Sequence, residues 1–227
     1  MCGRFAFYSA AEAVNDLFGV SLPDAGILAQ YNIAPTDLAA VIRLDSAGKR
    51  ELAMMRWGLV PFWAKDRKMA ARMINARSET VAEKPAYRKA FASRRCLVPA
   101  DGYYEWIAEA GGKQPYYISR EDGASIAMAG IWETWRDDQT SVETFSVLTM
   151  PSSGSIEHLH HRMPVMLDDV ATEHWLAGDG DNPPALRDLS AEVYADNLIC
   201  WPVAKAVNNS RNEDPRLIEA QPVESDD

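Results

Sequence analysis

Between Cys96 and Met150 the chain reads Cys96-Leu97-Val98, then Gly102-Tyr103-Tyr104-Glu105-Trp106-Ile107-Ala108, then Pro115-Tyr116-Tyr117-Ile118-Ser119, followed by runs over 125–135 and 144–150. Each run is short and rich in aromatic or β-branched residues. The breaks between them are turn formers: Gly111-Gly112, Glu121-Asp122-Gly123 and Asp137-Asp138. Strand-length apolar runs punctuated this closely predict a largely antiparallel sheet or barrel. Working outward, Ala39–Leu44 and Leu52–Trp57 flank the polar turn 45–49, and Met163–Leu167 and Leu198–Val203 add strands, with a helix near Asp169–Leu176 between them. Ser9-Ala10-Ala11-Glu12 has the form of a capping box ahead of Val14, Leu17 and Phe18, which predicts a short helix ending at Gly19. Residues 20–36 read as irregular. A second helix fits Glu79–Ser93, provided Pro85 makes it start late or break. The predicted class is α+β: one domain over residues 1–222, with a mainly antiparallel, barrel-like β-sheet core flanked by short helices. The polar stretch from Glu213 is expected to be disordered, ending in an acidic tail at 223–227.

The chain has 227 residues, 47% hydrophobic and 25% charged, ordinary values for a globular protein. No apolar run approaches the ~20 residues of a membrane span, so no membrane partner is expected. The N-terminus is too short and mixed for a signal peptide. Cys2, Cys96 and Cys200 are odd in number and widely spaced, which argues against a disulfide framework and for a reduced, cytoplasmic protein. The net charge of −10 opposes general nucleic-acid binding. Its distribution is uneven. From Arg56 to Arg95 there are eleven basic and three acidic residues, +8, which leaves −18 for the remainder. Such a segment can line an anion-binding groove, or in part be a solvated helix face.

Cys2 carries the chemistry most directly. A small second residue permits removal of Met1, and a terminal cysteine then holds an α-amine and a thiol two carbons apart. The amine, with a pKa of roughly 7.7–8, is partly neutral and nucleophilic near neutrality. Amine and thiol together can trap an aldehyde as an imine and then a thiazolidine; alternatively the thiolate can attack an amide. A plain buried cysteine is the bland alternative. Glu105, among aromatics in a strand, can have a raised pKa and exchange protons, or can face outward. Asn75 can orient a substrate or fold a turn. His160 suits acid/base work, since histidine alone titrates near neutrality unperturbed. The cluster His158-Leu159-His160-His161 lacks the spacings of a metal site, and no metal or other cofactor is expected. Trp63 and Trp106 can stack on nucleobases, although core packing is the default for tryptophan.

Taken together, the motifs resemble one family. Met1-Cys2-Gly3-Arg4-Phe5, Asn32-Ile33-Ala34-Pro35, Arg56-Trp57-Gly58-Leu59-Val60-Pro61 and Ile74-Asn75-Ala76-Arg77-Ser78-Glu79-Thr80 occur in order. The segment 96–106, His160-His161-Arg162-Met163-Pro164 and 202–208 follow. The series is similar to that of the SOS-response-associated peptidase family of abasic-site processing proteins, from Cys2 to about Pro222. The resemblance implies that Cys2, after autoremoval of Met1, crosslinks covalently to abasic sites in single-stranded DNA, with strand-cleaving lyase activity as a further possibility. It assigns Glu105 to acid/base work at the amine and sugar, His160 to ring opening and crosslink reversal, and Asn75 to holding the sugar or the cysteine end. Arg4, Arg77 and Arg162 correspond to arginines that grip phosphates. Thr149 lines the pocket, and Pro35, Trp63 and Trp106 cover or stack against the DNA. Where some relatives carry two adjacent tryptophans, this chain has Trp63-Ala64, a reduced stacking platform; His161 stands where relatives are often acidic.

The implied partner is single-stranded DNA containing abasic sites, with replication-fork machinery as a further candidate. A monomer, nucleoid-associated when bound to DNA, is expected. Two rivals come from other classes. An N-terminal-nucleophile amidohydrolase of the glutamine amidotransferase type also begins Cys-Gly, but normally continues with an apolar run where Arg4 stands. The other is a DNA-binding module in which Cys2 is merely structural.

Overall fold

The computed structural model describes residues 2–20, 26–109, 111–177 and 197–221. Its strands are β1 (Phe5–Phe7), β2 (Gln30–Ile33), β3 (Leu38–Leu44), β4 (Arg50–Trp57), β5 (Asn75–Arg77), β6 (Arg95–Ala100), β7 (Gly102–Glu109), β8 (Gly112–Arg120), β9 (Ile126–Arg136), β10 (Ser141–Pro151), β11 (Arg162–Pro164), β12 (Met166–Leu167) and β13 (Leu198–Pro202). Among the described residues three α-helices accompany them: α1 (Ala11–Phe18), α2 (Arg88–Ser93) and α3 (Asp169–Ala177).

Strands β10, β4, β3, β6 and β9 close on one another, because β9 pairs with β10 as well as with β6. Closure leaves no free edge among these five, and β5, β11 and β12 extend the sheet at its rim. The barrel-like core expected from the sequence is present. Most pairings are antiparallel, but β10 runs parallel to β4 and to β5.

A second sheet, in the order β13-β8-β7-β1-β2, lies beside the barrel. The sharp passage from β6 into β7 needs Gly102, where a Cβ would sit 2.3 Å from the Tyr117 ring. Along β7 the side chains alternate. Tyr103 joins Phe5, Ile118, Trp57 and Phe145 in the large core, whereas Tyr104 joins Tyr117, Val203, Val207 and Leu217 in a smaller one. Both faces of this sheet are therefore covered, one by the barrel and the other by the C-terminal segment.

Four local expectations are corrected. Ser9 does not cap α1: Ala10 occupies that position without a side-chain bond, and the Ser9 hydroxyl donates instead to Asp101, 2.5 Å away. Residues 20–36 are not all irregular, since β2 pairs with β1. The helix expected over 79–93 shrinks to α2, because the residues ahead of it, around Pro85, form turns. The stretch from Glu213 is ordered through Gln221: Asp214 caps a 3-10 turn at 215–218 that buries Leu217, and Val203 bridges Ala220. The tail at 223–227 lies outside the described residues. No helix among the described residues is long and apolar enough to cross a membrane.

Candidate active site

Cys2 is fully buried and belongs to the large core, on the barrel-facing side of the second sheet. Its carbonyl accepts a 2.6 Å hydrogen bond from Asn75 Nδ2. Asn75 reaches it because β5 is anchored in parallel register on β10, with Val147 opposite Asn75, and the Tyr87 hydroxyl donates to the Asn75 carbonyl at 3.2 Å. The site therefore joins the two sheets. Glu105 lies on β7, on the face that Tyr103 shares, and is only 4% exposed. It does not face outward. Burial raises the carboxyl pKa above its ordinary value. Burial also pushes the Cys2 thiol up, and the Glu105 charge adds to that push. Thiolate formation in this setting is costly unless a donor meets the sulfur.

His160 stands half-buried at the rim. Its Nδ1 accepts the Arg162 N–H at 2.9 Å, which leaves the proton of the neutral ring on Nε2. Burial, followed by neighbouring positive charge that includes His161, lowers its pKa. The two imidazoles stack, with ring centres 4.2 Å apart.

The arginines differ from one another. Arg162 is buried and makes a two-pronged ion pair with Glu79, its second prong at 2.9 Å. It also donates to the Thr149 carbonyl at 2.5 Å and to Thr149 Oγ1 at 3.3 Å. This pairing holds Glu79 at a pKa of about 2. Arg4 donates to Asn32 Oδ1 at 2.6 Å and to the Val207 carbonyl at 2.9 Å. Arg77, at the end of β5, is exposed, and no carboxylate among the described residues pairs with it. Within the basic segment, Arg95 is buried against backbone carbonyls and Arg94 pairs with Glu133. Lys65, Arg67, Lys68, Arg72, Lys84, Arg88 and Lys89 are exposed. The segment is thus partly structural and partly open to an anion.

Trp63 is 51% exposed, and its exposed neighbour is Phe62 at 46%, with Lys89 Nζ 4.3 Å from the Phe62 ring centre. Ala64 is buried. Trp106 is half-buried: its Nε1 donates to Asn208 Oδ1 at 2.7 Å, and the Arg4 guanidinium lies 6.0 Å from its ring. Pro35 begins a turn in which Thr36 takes φ 76°, a left-handed conformation rare for a β-branched residue. The turn is held by Thr36 N–H on the Trp57 carbonyl at 2.8 Å and by Arg56 on the Thr36 carbonyl.

Buried polar atoms without a hydrogen-bond partner among the described residues include Asn75 Oδ1, Arg4 Nε, Arg162 Nε and the Tyr103 hydroxyl. Each such atom costs on the order of 1–3 kcal/mol. Three of these residues were candidates from the sequence. Tyr103 was not, although its two-residue spacing from Glu105 in a strand places both on one face. No group of residues able to hold a metal occurs among the described residues.

A barrel with a covered second sheet, and a buried cysteine at position two held from both, define the class. Residues 1–210 match the family described as SOS response associated peptidase (SRAP), and the chain belongs to it. It is 36% identical to the abasic site processing protein YoqW of Bacillus subtilis over 224 residues, covering 97% of this chain and all of that protein. It is 34% identical to the abasic site processing protein HMCES of Gallus gallus, over 76% of this chain and 58% of that one. A crystal structure of a Bacteroides thetaiotaomicron protein superposes with a TM-score of 0.81 at 26% identity, covering 97% of this chain and 100% of that one.

The Asn75 bond makes a prediction about positioning. Asn75→Ala frees the Cys2 carbonyl and is expected to slow any Cys2-dependent reaction by roughly 10–100-fold while leaving the fold intact, since misplaced reacting groups lose about that much. Rates measured beside a thermal melt check it; an unaltered rate would remove Asn75 from the site.

Proposed function

We propose that this chain processes abasic sites in DNA by capturing their aldehyde on Cys2 after Met1 is removed. The observation that carries the reading is the meeting of Cys2, Asn75 and a buried Glu105, whose pKa burial raises, between the two sheets. The relatives named above as abasic site processing proteins support it.

An abasic deoxyribose opens from its ring form to an aldehyde at C1′. His160, with Nε2–H at the rim, suits proton transfer to the ring oxygen. The Cys2 α-amine adds to C1′, forming a C–N bond. Protonated Glu105 suits delivery of a proton to the departing hydroxyl, so that water leaves and an imine forms. The Cys2 sulfur then adds to the imine carbon, a C–S bond closes the five-membered thiazolidine, and the nitrogen takes up a proton. The sum is aldehyde plus aminothiol giving thiazolidine plus one water. The imine can instead lose a C2′ proton and expel the 3′ phosphate, which would be lyase chemistry. Removal of Met1 by the protein itself fits the family description. The exposed part of the basic segment, with Arg77 and Arg4, would track the phosphates of one strand, and Trp63, Trp106 and Pro35 would cover the bases. Arg162 can serve a phosphate only by sharing or exchanging Glu79.

The test is a denaturing gel of the mature protein with an oligonucleotide holding one abasic site. A heat-resistant shifted band is expected, strongest on single strands and at junctions and weakest on full duplex. No band from mature protein sinks the reading. Glutamine hydrolysis in its place would favour the amidohydrolase, and reversible binding alone a plain DNA-binding module.

A further inference from the structure

The second sheet carries one polar group that the proposed chemistry leaves unused. Tyr103 precedes Glu105 by two residues on β7, so strand alternation sends both toward the barrel. Its register neighbours, Phe5 on β1 and Ile118 on β8, are residues of the same core that contains Cys2. The phenol is fully buried, and its hydroxyl has no hydrogen-bond partner among the described residues. Packing explains the ring and not the oxygen, because phenylalanine would fill the same space without stranding a donor. Among the other orphaned atoms, the Asn75 Oδ1 belongs to the residue that holds the Cys2 carbonyl. Burial drives the Tyr103 pKa well above its ordinary value, and among charged groups Cys2 acts on it most, followed by Glu105 and Cys200. The hydroxyl therefore keeps its proton at any physiological pH and can only gain by donating it to an anion.

We propose that the Tyr103 hydroxyl donates a hydrogen bond to the Cys2 sulfur in the reactive state. No bond is made or broken at the phenol; its proton stays on oxygen and faces the thiolate. The buried sulfur, which burial and the Glu105 charge disfavour as an anion, thereby gains a side-chain donor beside the Arg4 backbone that already favours the thiolate. The inference rests on Cys2 being the reacting thiol, but its test needs no DNA.

Mature protein and its Tyr103→Phe variant are treated with iodoacetamide across a pH series, and alkylation of Cys2 is followed by peptide mass spectrometry. The variant is expected to shift the midpoint of Cys2 alkylation upward by about one pH unit, which is about a tenfold slower reaction below the midpoint. Its thermal midpoint should stay level or rise, since the lost hydroxyl had no partner. An unchanged alkylation midpoint overturns the proposal. If the variant does not fold, 3-fluorotyrosine at position 103, a stronger donor of nearly the same shape, should move the midpoint down, and no movement overturns the proposal equally. Normal wild-type alkylation with no DNA adduct would count against the proposed function, not against this hydrogen bond.

Discussion

Cys2→Ala is expected to abolish the heat-resistant DNA adduct completely, and yet to leave a weaker species that borohydride can trap. The reason lies in the division of labour at the terminus. Alanine at position two still permits removal of Met1, so the α-amine remains and can form an imine. It cannot close the ring, and an imine hydrolyses on denaturation. Cys2→Ser should behave similarly, because a hydroxyl is a far poorer partner for the imine carbon than a thiolate. A form that retains Met1 should lose the heat-resistant product, since its amine is one residue too far from the sulfur to close a five-membered ring. Gels run with and without borohydride check the pattern. A heat-resistant band from Cys2→Ala would show that another group makes the bond.

Glu105→Gln carries the second large effect. Glutamine keeps the shape but neither holds nor delivers a proton, so crosslink formation should slow by roughly 10²–10⁴-fold. Stability should move the other way. Burial raises the folded-state pKa of Glu105, so the folded protein binds its proton more tightly than the unfolded chain does. Charging the group then costs stability as pH climbs from the ordinary carboxylate value through the raised one, and that cost is fully present above it. Relative to wild type, the glutamine variant should gain more in thermal midpoint at pH 8 than at pH 4. Melts at both values, beside crosslinking rates, test the two halves together. An undiminished rate would remove Glu105 from the chemistry.

Where strands carry their own pattern, the sequence was readable. The runs from Cys96 to Met150 hold aromatic and β-branched residues between turn formers, and the structure places β6 to β10 there. Strands β2 and β5 were not legible, because four and three residues carry no period and each is fixed by a distant partner. The false cap at Ser9 has the same cause: its hydroxyl is taken by Asp101, far along the chain. Cys2 announced itself by position alone. Glu105 could not be placed inside or outside, since alternation separates buried from exposed faces only when one face meets water. Here both faces of β7 are covered, and Tyr104 and Glu105 are buried together. Arg162 was legible as an arginine but not as one whose fork Glu79 already fills.

Intact-mass analysis of the mature protein after incubation with single-stranded abasic DNA tests the central claim most directly. The account predicts a species weighing the protein without Met1 plus the oligonucleotide less one water, formed without reductant, in which Cys2 no longer accepts iodoacetamide. A species of that mass with Cys2 still open to alkylation, or no such species from protein shown to lack Met1, would contradict it.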